Sequence, residues 1–179
     1  GSSAFHVNDQ GREGIQFFAP HGDAVLEVYP TDATGSAAWQ GLIAEQTQST
    51  PTPLALRPVE NARYAETADG AALEKEWRAM TDVHQFFVLL RKYNLSRQQA
   101  FRLVSDVLAC RIDTEALPRL LETIQQDGNE FMIFVGNRGC VQIFTGTLEK
   151  LTPMRGWINI FNSTFTLHLR EETIDEVWV

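Results

Sequence analysis

Four histidines, at positions 6, 21, 84 and 168, are the side chains of this chain best suited to hold a metal. None has a second histidine one helical turn away, so no element presents two ligands on one face as HExxH does, and the spacing argues against a zinc hydrolase. His21 falls in a Pro-His-Gly-Asp turn and His6 lies near the start of the chain, where both read as solvated residues. His168 shares a strand face with Thr166 and Arg170 and alternates with Phe165, Leu167 and Leu169, which makes it an ordinary polar-face residue. His84 differs. It lies beside the apolar series Val83, Phe86, Phe87, Leu90 and Tyr93, with Phe87 and Val88 one turn along its own side. One imidazole edged by aromatics suits a metal macrocycle that needs a single protein ligand, but from the spacing alone a boundary histidine with a satisfied hydrogen bond is the commoner outcome. Arg97 could aim its guanidinium at a carboxylate near that edge, or stand exposed in the first turn of a helix.

Other patterns carry less. Gly136-Asn-Arg-Gly-Cys140 lacks the Lys-Ser/Thr ending of a phosphate loop and joins two strand-like runs, so it reads as a hairpin turn. There is no GxSxG elbow. Cys110 and Cys140 have no CxxC or CxxCH spacing, which leaves them as free thiols.

These residues must be positioned by a chain of 179 residues with 44% hydrophobic and 21% charged side chains, enough for one good core or two small ones. A formal net charge of −8 opposes nonspecific nucleic-acid binding, which needs clustered Lys and Arg. No apolar run reaches the roughly 18 to 20 residues of a membrane span and the start lacks a signal-peptide pattern, so a soluble protein is expected, and the free thiols fit a cytoplasmic location.

Ile15 to Tyr29 reads as a β-hairpin, and Trp39, Leu42 and Ile43 mark a short amphipathic helix within 34–45. The stretch 46–71, rich in Thr, Pro, Gln and Ala, reads as a linker. The apolar period over 72–93 predicts a helix. Ser96 with Gln99 has capping-box form and predicts a second, and Asp113 to Gly128 a third. Beyond Gly128 the period becomes strand-like at 130–135, 140–145, 157–161, 164–169 and 174–179, which predicts an α+β fold with three helices packed on an antiparallel β-sheet. The last run stops inside a strand pattern, as a truncated domain would.

Several long strings are specific enough to carry a resemblance. Trp77-Arg-Ala-Met-Thr-Asp-Val-His-Gln-Phe-Phe87, Leu95-Ser-Arg-Gln-Gln-Ala-Phe101, Phe134-Val-Gly-Asn-Arg-Gly-Cys-Val-Gln-Ile-Phe-Thr-Gly146, Pro153-Met-Arg-Gly-Trp157 and Asn162-Ser-Thr-Phe-Thr-Leu-His-Leu-Arg170 are similar to the HemS/ChuS/HmuS family of haem-utilisation proteins. Phe5-His-Val7 and the hairpin through Tyr29 resemble the end of that family's N-terminal half. The resemblance implies residues 1–45 as a hairpin and helix from the N-terminal repeat, 46–71 as linker and 72–179 as a truncated C-terminal haem-utilisation domain. It further implies that 15–45 complete the sheet of 130–179, within one chain or by exchange of residues 1–45 in a homodimer.

For function, the resemblance implies haem as ligand, with the iron-ligating histidine on His84, the propionate-binding arginine on Arg97 and a pocket phenylalanine on Phe134. Val83 and Phe87 would touch the porphyrin. The family's arginine on the opposite haem face, and its late basic and tyrosine contacts, have no counterpart here. The implied role is accepting and trafficking haem in bacterial iron acquisition, with a haem importer or a haem oxygenase as partner. A haem-degrading enzyme that releases iron is the first alternative, and an interaction module that binds no haem the second.

Overall fold

A computed structural model describes residues 3–50 and 53–179. The chain divides into two compact units, one of residues 1–61 with 133–144 and the other of 62–132 with 145–179.

In the first unit, strands β1 (Ser3–Asp9), β2 (Arg12–Phe18) and β3 (Ala24–Val28) form an antiparallel sheet in that order. The turn Gln10-Gly11 closes the first hairpin, with Asp9 paired to Arg12. The Pro-His-Gly-Asp turn closes the second, where the Ala19 N–H donates to the Asp23 carbonyl at 2.8 Å. Helix α1 (Ser36–Gln46) follows and buries Trp39. The extended stretch after it is tied back, since the Arg57 N–H donates to the Pro20 carbonyl at 2.9 Å. The turn at 137–140 is held within the same chain by β3: the Val25 carbonyl accepts from Asn137 Nδ2 at 2.8 Å and from Cys140 Sγ at 3.0 Å.

The second unit is built on α2 (Gly70–Arg78), α3 (Gln85–Tyr93), α4 (Arg97–Leu103) and α5 (Ala116–Asp127). The sequence predicts an unbroken helix over 72–93. The structure divides it at 79–84, because the Gln85 and Asp82 side chains accept from the backbone N–H groups of Thr81 and His84, bonds that compete with helical ones. The cap of α4 forms as expected: Ser96 Oγ accepts from the Gln99 N–H at 3.2 Å and Gln99 Oε1 from the Ser96 N–H at 2.9 Å. Helix α5 ends at Gly128, whose φ of 65° is the left-handed conformation expected there. Asp113 instead caps the turn before α5, accepting from the Glu115 N–H at 2.9 Å.

The second unit also holds two antiparallel ladders. Strand β4 (Arg111–Ile112) pairs with β9 (Val177–Trp178), and β7 (Trp157–Phe161) with β8 (Thr166–Arg170). Strands β5 (Phe131–Gly136) and β6 (Val141–Gly146) form a further hairpin, of which residues 133–144 belong to the first unit. The fold is therefore α+β, helices with antiparallel strands, as expected. The run 174–179 contributes only β9, whose partner β4 is too short to show a period in sequence. Among the described residues no helix is long and apolar enough to cross a membrane.

Leu73, Leu89, Leu95 and Ala100 form the buried core of the helices, flanked by Trp77, Met80, Phe86, Leu90, Tyr93 and Val104. The start of α2 lies so close to the end of α4 that a Cβ at Gly70 would meet the Leu103 carbonyl oxygen at 2.6 Å. Glu74 ties the same two helices: it accepts from the Ser105 N–H and Oγ, each at 2.8 Å, and from the Arg78 guanidinium at 2.6 Å. The Ser105 backbone bond, then the Arg78 and Ser105 side chains, pull its carboxyl from 4.5 down to about 2. A depressed carboxyl pKa stabilises the fold above the unfolded value and ceases to do so as pH falls through the folded one. Glu74→Ala should thus lower the thermal midpoint at pH 7, with the gap to wild type closing between about pH 4.5 and pH 2 in thermal scans at stepped pH.

Candidate functional site

The break between α2 and α3 places His84 at the N-cap of α3 rather than mid-helix. Its side chain is 86% exposed, so neighbouring groups rather than burial must define its orientation. Asp82 Oδ1 accepts from both the backbone N–H of His84 and Nδ1 of its ring, each at 2.7 Å. These bonds, the backbone one first, hold the Asp82 carboxyl below its usual range. With Nδ1 engaged, Nε2 is the nitrogen left to bind a ligand. The loop is braced from the helix, where Gln85 Oε1 accepts from the Thr81 N–H at 2.9 Å.

Apolar side chains stand exposed around this imidazole. Val83 is 78% exposed, Phe87 48% and Val88 57%. Arg97 reaches the same patch from α4. The chain reverses at Asn94, whose φ of 52° closes α3 in a Schellman-type cap with the Leu95 N–H donating to the Leu90 carbonyl at 3.0 Å. That reversal sets the Arg97 guanidinium 5.6 Å from the Phe87 ring centroid. His84, Val83, Phe87 and Arg97 are thus brought together. Phe134, 60% exposed on β5, belongs to the other unit.

Aromatic rings pack behind the patch. Phe86 stacks on Phe101 with centroids 6.0 Å apart and an interplanar angle of 12°, and lies 4.5 Å from Trp77. Phe101 in turn meets Trp178 at 5.6 Å. Glu76 joins α2 to α3 by accepting from Lys92 Nζ at 2.6 Å and Tyr93 Oη at 2.8 Å, which lowers the Glu76 pKa and raises that of Tyr93.

The remaining histidines are placed differently. His6 and His21 meet Glu13 and Asp23 through Nε2, at 2.8 and 3.0 Å, and His168 Nδ1 pairs with the buried Asn159 amide at 2.7 Å. Among the described residues only His84 has its Nδ1 on a carboxylate with an exposed ring. No cluster of three or more His, Cys, Asp or Glu side chains able to hold a bare ion occurs among them either. One nitrogen ligand, exposed apolar cover and a nearby guanidinium match an iron porphyrin, which brings its own equatorial nitrogens, an apolar ring and carboxylates. Sequence reasoning missed Asp82. The available signal was an aspartate two residues before the histidine, in a stretch whose apolar period hides the helix break.

Comparison with known proteins points the same way. Residues 94–179 match the family described as "Haemin-degrading HemS.ChuX domain", a span that includes Arg97 and Phe134 and begins after His84. The chain is 52% identical over 183 residues to the hemin transport protein HmuS of Yersinia pestis, covering 99% of this chain and 53% of that protein. The heme degrading enzyme ChuS of Escherichia coli O157:H7 superposes with a TM-score of 0.91 at 57% identity, over 98% of this chain and 52% of that one. Holo-PhuS, a heme-binding protein from Pseudomonas aeruginosa, gives 0.88 at 32% identity, over 99% and 53%. This chain therefore spans about half the length of the curated relatives it matches.

Proposed function

This chain belongs to the HemS/ChuS/HmuS family of haem-utilisation proteins, and on that premise we propose that it binds haem through His84 Nε2 and traffics it in the cytoplasm during bacterial iron acquisition. The observation that carries this reading is the exposed His84 ring, engaged through Nδ1 and bordered by exposed Val83 and Phe87 with Arg97 beside them.

Each residue has a defined task. The imidazole supplies the lone pair for iron. Val83 and Phe87 cover porphyrin surface that water would otherwise wet, at roughly 25 cal/mol per Å² removed from water. The Arg97 guanidinium meets a propionate by a charge-assisted bond, which fixes the in-plane orientation of the macrocycle. Phe134 is assigned to the pocket lining on the family resemblance alone. A haem importer would supply the ligand and a haem oxygenase would consume it.

The likeness to ChuS, described as a heme degrading enzyme, favours a second reading in which the same histidine holds haem during oxidative ring opening with O2 and an external reductant. Ascorbate added to the haem-loaded chain in the presence of catalase separates the two. A carrier keeps its Soret band, which is the expected result. Loss of the band with stoichiometric tetrapyrrole and iron release would assign the degradative role instead.

A further inference from the structure

We propose that Asp82 is the positioning residue of the haem site, holding His84 in the one tautomer and ring orientation that present Nε2 to iron. This rests on the reading of His84 as the iron ligand.

The geometry of one carboxylate oxygen carries the argument. Asp82 Oδ1 takes the backbone N–H of His84 and the ring Nδ1 together, at 2.7 Å each. An acceptor bonded only to the ring could follow it as it turned. An acceptor bonded also to the backbone of the same residue cannot, so the ring is fixed relative to the chain. The bond at Nδ1 places the proton on that nitrogen and leaves the lone pair on Nε2. With the His84 side chain 86% exposed, little packing exists to do this work otherwise.

The support extends one step outward. Gln85 Oε1 accepts from the Thr81 N–H at 2.9 Å, and Gln85 Nε2 donates to Thr81 Oγ1 at 3.4 Å, so the residues before and after the Asp82-Val83-His84 turn are joined directly. Asp82 is thereby held by the loop that it organises. An anionic acceptor also raises the electron density of the imidazole, which strengthens its bond to iron. The other histidines lack this combination, being engaged through Nε2 or, at His168, paired with a neutral amide.

The test compares haem complexes of the 179-residue chain and its Asp82→Ala, Asp82→Asn and His84→Ala variants. Haem affinity comes from Soret titration. The iron–histidine stretching frequency of the ferrous complex and the ferric/ferrous potential report the ligand's donor strength, which a merely structural role would leave unmoved. Asp82→Ala should weaken haem binding by about 10- to 100-fold, lower the stretching frequency and raise the potential. Asp82→Asn retains an acceptor without the charge, so it should recover most of the affinity while keeping the lowered frequency. Wild-type affinity and frequency in both Asp82 variants, with both lost in His84→Ala, would overturn the role of Asp82 and leave His84 as ligand. Wild-type affinity and frequency in His84→Ala would overturn the ligand assignment itself.

Discussion

Replacing His84 with alanine should abolish axial ligation of haem and weaken its binding by more than the roughly 100-fold that marks the loss of a supporting residue around a metal site, without lowering the thermal midpoint. The two halves of this result have separate causes. The imidazole is the only nitrogen ligand that the patch of Val83, Phe87 and Arg97 offers, so its removal leaves the porphyrin held by apolar contact and one guanidinium. The side chain is also exposed on a turn, and its one partner, Asp82, remains solvated when the ring is gone. Soret titration together with a thermal scan checks both halves. A variant that binds haem like wild type would overturn His84 as the ligand, and the absence of a Soret change in both proteins would leave the chain as an interaction module that binds no haem.

Truncating Leu73 should do the reverse. This side chain has no exposed surface and sits at the centre of the cluster with Leu89, Leu95 and Ala100. Leu73→Ala leaves a cavity in the face of α2 that backs the site, and large-to-small changes of this kind cost about 2–5 kcal/mol. Chemical denaturation should show that loss directly. Haem affinity measured well below the new midpoint should fall only slightly, since Leu73 does not contribute to the exposed patch. A core variant with intact stability would mean that α2 packs less tightly than its buried leucine indicates.

What could be read from the sequence was what is encoded locally. The hairpin ending at Tyr29, the capping box at Ser96 and the left-handed Gly128 each depend on residues a few positions apart, and each forms as read. The break at 79–84 was hidden because Val83, Phe86, Phe87, Leu90 and Tyr93 keep a helical period right across its edge, while the competing side-chain bonds of Gln85 and Asp82 leave no periodic trace. Pairing of β4 with β9 joins two-residue strands from distant parts of the chain, which alternation cannot reveal. The division of the site follows the same logic. His84 with its aromatic border and Arg97 at a helix start were visible as candidates, but their haem-binding roles came from the family resemblance. Phe134 came from family resemblance alone, because nothing in its own strand distinguishes it from Met132 or Val135.

Resonance Raman spectroscopy of the ferrous haem complex, with and without 15N-labelled histidine, tests the ligand assignment most directly. An isotope-sensitive iron–histidine line should appear in the wild-type chain and vanish in His84→Ala. The same line persisting in His84→Ala, or absent from the wild-type complex, would contradict it.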